Sequence, residues 1–229
     1  MLLGKTVKVN LLKFTKEPER ACAIAARLCY SVVGIDEISE KFTEEKIKDL
    51  LGKVILSGHH SVLEHASFTF GVEGVSRALL AQLTRHRIAS FSAQSQRYVK
   101  FKDDIEFVIP GTIKKNSCLL EKYNEFLKNT ENLYKEFLDA GIPAEDARYI
   151  LPNACATKII ITMNARELRH FFSLRSCNRA QWEIREMSRC MLNLVRKEAP
   201  LLFADAGPDC IREGCRETFT CGKPWKNKK

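Results

Sequence analysis

The sequence predicts an α+β fold in a single domain, with long helices packed on a mostly antiparallel sheet. Three observations carry this expectation. The chain has 229 residues of which 45% are hydrophobic. A compact fold of that length buries roughly 70–75% of the surface that its unfolded chain exposes, so a large core needs no disulfides. Segments with strand alternation and segments with helical periodicity both recur along the chain. No internal repeat and no flexible linker interrupts them, which favours one domain over two. The domain is placed at residues 1–207 and is followed by a basic, cysteine-containing tail, 208–229.

Val7 to Leu12 alternates as VKVNLL and reads as the first strand. Pro18 to Tyr30 reads as a helix with proline in its first turn. Thr43 is placed to cap a helix that runs to Ser57 and stops at Gly58. GHHSVLEH forms a connection, and Ala66 to Val72 (ASFTFGV) is a strand. Val75 to Arg85 is helical, and Ile88 to Arg97, small and polar, reads as an ordered loop. Ile105 to Ile109 is a strand ended by Pro110. Leu119 to Leu138 is a long amphipathic helix, and Pro143 opens another, AEDARYIL, before Pro152. TKIIITM, Thr157 to Met163, is β-branched and reads as a strand. Arg166 to Leu174 and Ala180 to Pro200 are helical.

Composition excludes a disordered chain and, with 11 Gly and 7 Pro, a collagen-like or low-complexity one. No uncharged apolar run approaches the ~20 residues that span a bilayer. The start, MLLGKTVKVNLLKF, is too interrupted by Lys for a secretion signal, and a cytoplasmic location is expected. Nine cysteines are an odd number and no closed set of disulfides. Cys22, Cys29, Cys118, Cys155 and Cys190 read as buried thiols of a reducing compartment. Cys210, Cys215 and Cys221 lack the tight pairs and nearby His of a zinc site, so no metal is expected. Cys177, flanked by Arg175 and Arg179, is a possible nucleophile because nearby cations lower a thiol pKa.

The net charge is +9, and four of the lysines fall in the last eight residues, Gly222–Lys229. Arg77 to Lys102 holds six cations and no acid. Ala147 to Arg179 holds six cations, Arg148, Lys158, Arg166, Arg169, Arg175 and Arg179, against one acid, Glu167. Such stretches suit anions, because a planar guanidinium binds phosphate or carboxylate through two parallel hydrogen bonds. Ser90, Ser92, Gln94, Ser95 and Gln96 add donors beside Arg85, His86, Arg87 and Arg97. A nucleotide phosphate or a nucleic-acid backbone would fit this donor set equally, so a basic nucleic-acid-binding protein is the alternative. Neither glycine-rich phosphate-loop pattern occurs. On the third cluster, Asn164 is placed as an N-cap, with Arg166 and His170 four residues apart on one helix face.

Arg85-His86-Arg87, then IASFSAQ, then Ser95 resembles the R-H-R-x7-S motif of flavin-dependent thymidylate synthases, the thymidylate synthase complementing protein family. GHHSVLEH is similar to that family's G-H-x-[ST]-x-x-E-H segment. Asn164-Ala165-Arg166, Leu174-Arg175 and Ala180-Gln181-Trp182-Glu183 resemble its C-terminal half. The resemblance runs from about Arg20 to about Pro200. It implies a transferase of nucleotide biosynthesis, a methyltransferase that converts dUMP to dTMP. 5,10-Methylenetetrahydrofolate would give the carbon, NADPH-reduced FAD the hydride, and tetrahydrofolate would be released.

By resemblance, Arg175 is the catalytic residue that polarises the uracil ring so that C5 becomes electron-rich. Gln82, Arg85, Ser95, Arg97, Arg148 and Arg175 match dUMP contacts, with backbone N–H groups from Ala93 through Gln94 to Gln96. His59, Ser61, Glu64, Arg85, His86, Arg87, Ala93, Asn164, Arg166 and His170 match FAD positions. Many members carry Glu where this chain has Ala93, and some carry Asn at His170 and His at Arg179. The family is homotetrameric, and Arg148 would serve a neighbouring subunit. Because reduced flavin brings the hydride, no cysteine need attack the ring, which argues against Cys177 as nucleophile. No membrane or specific nucleic-acid partner is implied.

Overall fold

The computed structural model describes residues 7–101, 103–212 and 214–225. Residues 1–6 and Lys102, Lys226, Lys228 and Lys229, which were counted in the charge, lie outside the described residues. The α+β class holds: four strands form one antiparallel sheet in the order β1-β2-β4-β3, amid helices.

Strand β1 (Lys8–Phe14) leads to α1 (Pro18–Leu28), whose Cys22, Ala23 and Ala26 are buried. A helix α2 (Ile35–Lys41) follows that periodicity does not announce, because it buries only Ile38. Thr43 caps α3 (Glu44–Leu56), its hydroxyl accepting the Lys46 N–H at 3.5 Å. Gly58 then takes φ +75°, a left-handed geometry that glycine adopts without strain. GHHSVLEH becomes a 3₁₀ turn, His60–His65.

The next elements shift from expectation. Strand β2 (Ser67–Ser76) runs four residues further than expected, and α4 (Arg77–Leu83) starts later. The switch is at Ser76, whose Oγ accepts the Leu79 N–H at 3.3 Å and so caps the helix. Ile88–Arg97, read as a loop, contains strand β3 (Ala89–Ala93). It lies at the end of the sheet order and has no fully buried residue, so it needs no apolar alternation. Ile105–Ile109 is not a strand; it makes an isolated antiparallel bridge, Phe107 to Cys155. Its apolar side chains are buried, but the backbone enters no ladder.

Short α5 (Gly111–Lys114) precedes α6 (Ser117–Asp139), capped by Asn116 Oδ1 on the Leu119 N–H at 3.1 Å. The helix expected in AEDARYIL is a single α turn, α7 (Ala144–Ala147), continued as a 3₁₀ turn, Arg148–Ile150. Strand β4 (Ala156–Asn164) alternates, with Thr157, Ile159, Ile161 and Met163 buried. It hands over at Asn164 to α8 (Ala165–Arg175). Then come α9 (Trp182–Glu198) and α10 (Pro200–Phe203).

The chain divides into two compact units, each discontinuous in sequence. One takes Val72–Arg85 and Ser92–Ile159, and its core gathers Ile105, Phe107, Ile109, Leu127, Tyr134 and Cys155. The other takes Val9–Gly71, His86–Phe91 and the chain from Ile160 onward. Its core stacks rings edge to face. Phe68 of β2 meets Phe203 of α10 at 5.4 Å, and Phe203 meets Phe172 of α8 at 6.0 Å. Within that unit Thr69 and Thr162 join β2 to β4 through their hydroxyls at 3.0 Å.

Candidate active site

The unit that contains α8 holds most of the positions expected to contact FAD. Asn164 is the N-cap, as its sequence position implies, and its Oδ1 accepts the Glu167 N–H at 2.8 Å. This fixes the first turn of α8 and turns the buried Glu167 carboxylate toward His86. His86 Nδ1 and Glu167 Oε1 are 2.7 Å apart. On its other side His86 Nε2 accepts a hydrogen bond from Arg175 Nε at 3.1 Å. Arginine has no acceptor, so Nε2 is unprotonated and the proton sits on Nδ1, donated to Glu167.

His86 is itself buried, with Phe171 edge-on at 4.9 Å and His170 at 5.8 Å between ring centroids. Burial holds the imidazole below its ordinary pKa, and the hydrogen bond and charge of Glu167 pull the other way. Arg175 and His170 push it down further. The net direction is down, which agrees with the neutral tautomer that the hydrogen bonds require.

Around this core the remaining expected positions are more open. Arg166 Nη1 donates to Glu64 Oε1 at 2.5 Å, which joins two expected FAD residues that lie 102 apart in sequence. His59, Ser61, Arg87 and His170 are exposed in the same unit. His60, a neighbour of the motif residues, is tied to the Ile55 carbonyl through Nε2 at 3.3 Å. Not every arginine of the acid-poor stretch is available for a ligand. Arg169 is buried and forks onto both oxygens of Asp205 at 2.7 and 3.0 Å, with a third bond to the Leu202 carbonyl at 2.6 Å.

The other unit holds the positions expected to contact dUMP, apart from Arg175. Gln82 lies half-buried on α4, and Arg85 is exposed beyond its end. Ala93 ends β3 and offers only a methyl side chain. Gln94 N–H donates to the Lys158 carbonyl at 2.9 Å, and the Gln94 carbonyl accepts from Arg77 at 3.3 Å. The Gln94 N–H is therefore already engaged, contrary to the expectation that it faces a phosphate. Gln96 Nε2 reaches Cys155 Sγ at 3.4 Å. Ser95 Oγ accepts the Arg97 N–H at 3.2 Å. Arg97 Nε donates to Glu145 Oε2 at 2.6 Å, and Arg148 Nε donates to the Glu145 carbonyl at 3.0 Å. Two expected dUMP contacts thus converge on one residue. Gln94 and Lys158 also line a cavity of about 550 Å³ with Glu73, Asp103 and Glu106.

Sequence reasoning passed over Glu145 and Glu167. Glu167, three residues after Asn164, carries the signature of a helix capping box, which hides its second role. Glu145 sits in the first turn of α7, where an acid is ordinary. In the tail, read as a solvated terminus, the described residues 214–225 are nearly all exposed but make contacts within their unit, and Lys226, Lys228 and Lys229 lie outside the described residues. Asn178 Nδ2 donates to the Lys223 carbonyl at 2.8 Å, Arg179 pairs with Glu217 at 3.3 Å, and Arg189 lies 4.7 Å over the Trp225 ring. Burial pushes the Cys22 thiol up to about 12 and the Cys155 thiol up to about 11, which leaves both unreactive.

An α+β fold that joins the buried Glu167–His86 pair and the half-buried Arg175 to exposed arginines and histidines has the donor set that suits anionic ligands. The profile of the thymidylate synthase complementing protein family matches residues 10–201. The chain is 53% identical over 219 residues to the flavin-dependent thymidylate synthase of Geobacter sulfurreducens, covering 95% of this chain and 94% of that relative. It is 46% identical over 245 residues to that of Clostridium tetani, covering 99% and 98%. The fold is similar to that of the UMP/dUMP methylase PolB of Streptomyces cacaoi, solved with 5-Br dUMP. The TM-score there is 0.78 and the identity 24%, over 89% of this chain and 96% of that one. This chain belongs to the thymidylate synthase complementing protein family.

Proposed function

We propose that this chain is a flavin-dependent thymidylate synthase, which methylates dUMP to dTMP with FAD as its flavin. The observation that carries the reading is 53% identity to a flavin-dependent thymidylate synthase across nearly the whole length of both chains. 5,10-Methylenetetrahydrofolate supplies the carbon and NADPH the electrons. The methylene and one hydride become the methyl group, the C5 proton of uracil leaves, and tetrahydrofolate and NADP⁺ are released. The enzyme works in the cytoplasm as a homotetramer, and residues 1–207 form its domain. Among the described residues no helix is long and apolar enough to cross a membrane.

The donors present fit an anionic dinucleotide. His59, Ser61, Glu64, Arg87, Asn164, Arg166 and His170 belong to one unit and are exposed or half-buried. They offer guanidinium, imidazole, hydroxyl and amide groups for a pyrophosphate and a polar heterocycle. When bound, reduced flavin supplies the hydride of the reaction. This chain's own residues hold the substrate and prepare it. Ser95 and Arg97 bind the dUMP phosphate, Gln82 and Arg85 the remainder of the nucleotide, and Arg148 reaches the dUMP of a neighbouring subunit. Arg175 stabilises negative charge on the uracil ring, which raises electron density at C5. No cysteine takes part.

The test is turnover with dUMP, methylenetetrahydrofolate, NADPH and FAD. The purified protein is yellow and forms dTMP, and Arg175→Ala keeps the fold while losing at least about 100-fold in kcat. Lack of dTMP formation in FAD-supplemented wild-type protein would sink the reading.

A further inference from the structure

Glu167 has no role in the reading above, yet it is a buried carboxylate at one end of a chain of hydrogen bonds that ends on Arg175. We propose that Glu167 is a positioning residue for dUMP methylation, acting through His86 to orient the Arg175 guanidinium. The inference rests on the functional reading for the word methylation, and on geometry alone for the link between the three side chains.

The geometry leaves one consistent proton arrangement. Arg175 Nε can only donate, so His86 Nε2 must accept, so His86 Nδ1 must carry the proton, so the group opposite Nδ1 must accept. Glu167 meets that requirement at 2.7 Å. Without an acceptor there, the imidazole is free to move its proton to Nε2, which would set two N–H donors against each other at the Arg175 contact. The neutral ring has two tautomers of similar energy, and the partner of one nitrogen decides the state of the other. This is the logic by which a buried carboxylate fixes the imidazole of a catalytic triad. Here the held group is a cation rather than a nucleophile.

The placement of the three residues supports a positioning role over a purely structural one. Glu167 and Arg175 stand in the first and last turns of α8, while His86 comes from a distant segment. The His86 ring, met by these two long side chains, therefore links the C-terminal arginine of the helix to its N-terminal acid. The Asn164 cap holds the Glu167 backbone, so the carboxylate is anchored by the same turn that starts the helix. Burying a carboxylate is costly, and a well-packed apolar side chain would serve stability as well or better.

The experiment uses Glu167→Gln and Glu167→Leu in the full chain. In wild-type protein, ¹⁵N spectra of His86, assigned with His86→Asn, show a protonated Nδ1 and an acceptor Nε2. In Glu167→Leu the Nε2 resonance moves toward the protonated form. Steady-state assays with dUMP, methylenetetrahydrofolate, NADPH and FAD give a kcat lowered about 100-fold in Glu167→Leu, as expected for a misplaced reacting group. KM for dUMP stays within about 3-fold, and Glu167→Gln, which keeps an acceptor oxygen, restores part of kcat. Adding Glu167→Leu to Arg175→Ala lowers kcat no further, because the two residues act as one unit. An Nε2-protonated His86 in wild-type protein, an unchanged kcat in both variants, or additive losses in the double variant would each overturn the inference. Wild-type protein that makes no dTMP would instead overturn the functional reading, and the spectra would still decide the Glu167–His86–Arg175 link.

Discussion

Arg169 and Asp205 form an asymmetric pair, and that asymmetry gives a quantitative prediction. The Arg169 side chain is 4% exposed and Asp205 37%. Three short bonds hold the guanidinium: 2.7 and 3.0 Å to Asp205 and 2.6 Å to the Leu202 carbonyl. Arg169 Nε has no hydrogen-bond partner among the described residues. Asp205→Ala therefore strands a buried cation that already carries one unmet donor. Breaking a buried pair from one side costs about 3–5 kcal/mol, and water reaching the Asp205 side brings this to about 3 kcal/mol. For a chain of this length each kcal/mol shifts Tm by about 2–4 °C, so Tm falls by about 6–12 °C.

The reverse substitution, Arg169→Met, leaves Asp205 half-exposed, where water and Arg212 at 3.7 Å can still serve it. An apolar side chain of similar length fills the buried volume, and the cost is about 1 kcal/mol or less. Thermal unfolding near neutral pH measures both variants. The physical argument requires Asp205→Ala to be clearly worse than Arg169→Met. Equal losses, or a larger loss for Arg169→Met, would refute the view that desolvated charge dominates this pair. Asp205 also sets a direction with pH. Burial raises its carboxyl pKa, but Arg169 and Arg212 outweigh burial and hold it below the ordinary value. The folded state then binds fewer protons than the unfolded chain, so this stability is present above the unfolded pKa and is lost as pH falls through the folded one.

The remaining predictions concern the site. His86 is held below the ordinary histidine value of 6.5, so it contributes stability above that pH which is lost as pH falls through its folded value. Its protonation would place Nε2–H against Arg175 Nε–H, so any acid limb of kcat from His86 has its midpoint below 6.5; a His86 limb with its midpoint at or above 6.5 would contradict this. The Arg97–Glu145 pair is 55% and 44% exposed and contributes less than about 1 kcal/mol. Arg97→Ala accordingly leaves Tm within about 4 °C but raises KM for dUMP about 10-fold or more, as expected for a lost phosphate contact. An unchanged KM would remove Arg97 from the phosphate site.

Much of the fold was legible because its elements bury regular stripes. β4 and α9 show a clear period of two or of 3.6, and the Thr43 and Asn164 caps name their own helices. The misses share a cause: the deciding interaction was local and polar, or the element had no stripe to show. α2 buries one side chain, and β3 is an edge strand whose alternation has nothing to face. Ile105–Ile109 has the composition of a strand because its side chains enter a core, yet its backbone makes one bridge and no ladder. The candidate site was read as a set of residue types, arginine, histidine, serine and asparagine at family-like spacings. Glu145 and Glu167 were not among them, because an acid in the first turn of a helix looks the same whether it serves the helix dipole or a residue 48 or 81 positions away.

Two stretches nearly free of acid in sequence were read as sites for anions, but freedom from acid along the chain is not freedom from acid in space. Arg97 takes Glu145, Arg166 takes Glu64, Arg169 takes Asp205 and Arg179 takes Glu217, all from outside those arginines' own neighbourhoods. What separates a structural pair from a ligand site is the exposure of the cation. Arg169 is sealed, so a ligand would have to displace three bonds from a group that water cannot reach. Arg97 and Arg166 are 55% and 54% exposed, and their carboxylate partners are nearly as open. An exposed ion pair is worth little, so an incoming phosphate can exchange for the carboxylate at small cost. If Arg97 binds the phosphate as proposed, Glu145 would be a placeholder that keeps its guanidinium extended until an anion arrives. On this view Glu145→Gln loosens Arg97 without removing it, and binding of inorganic phosphate, followed by calorimetry at low salt, tightens relative to wild type. Weaker binding in that variant would show that Glu145 builds the phosphate site instead of competing for it.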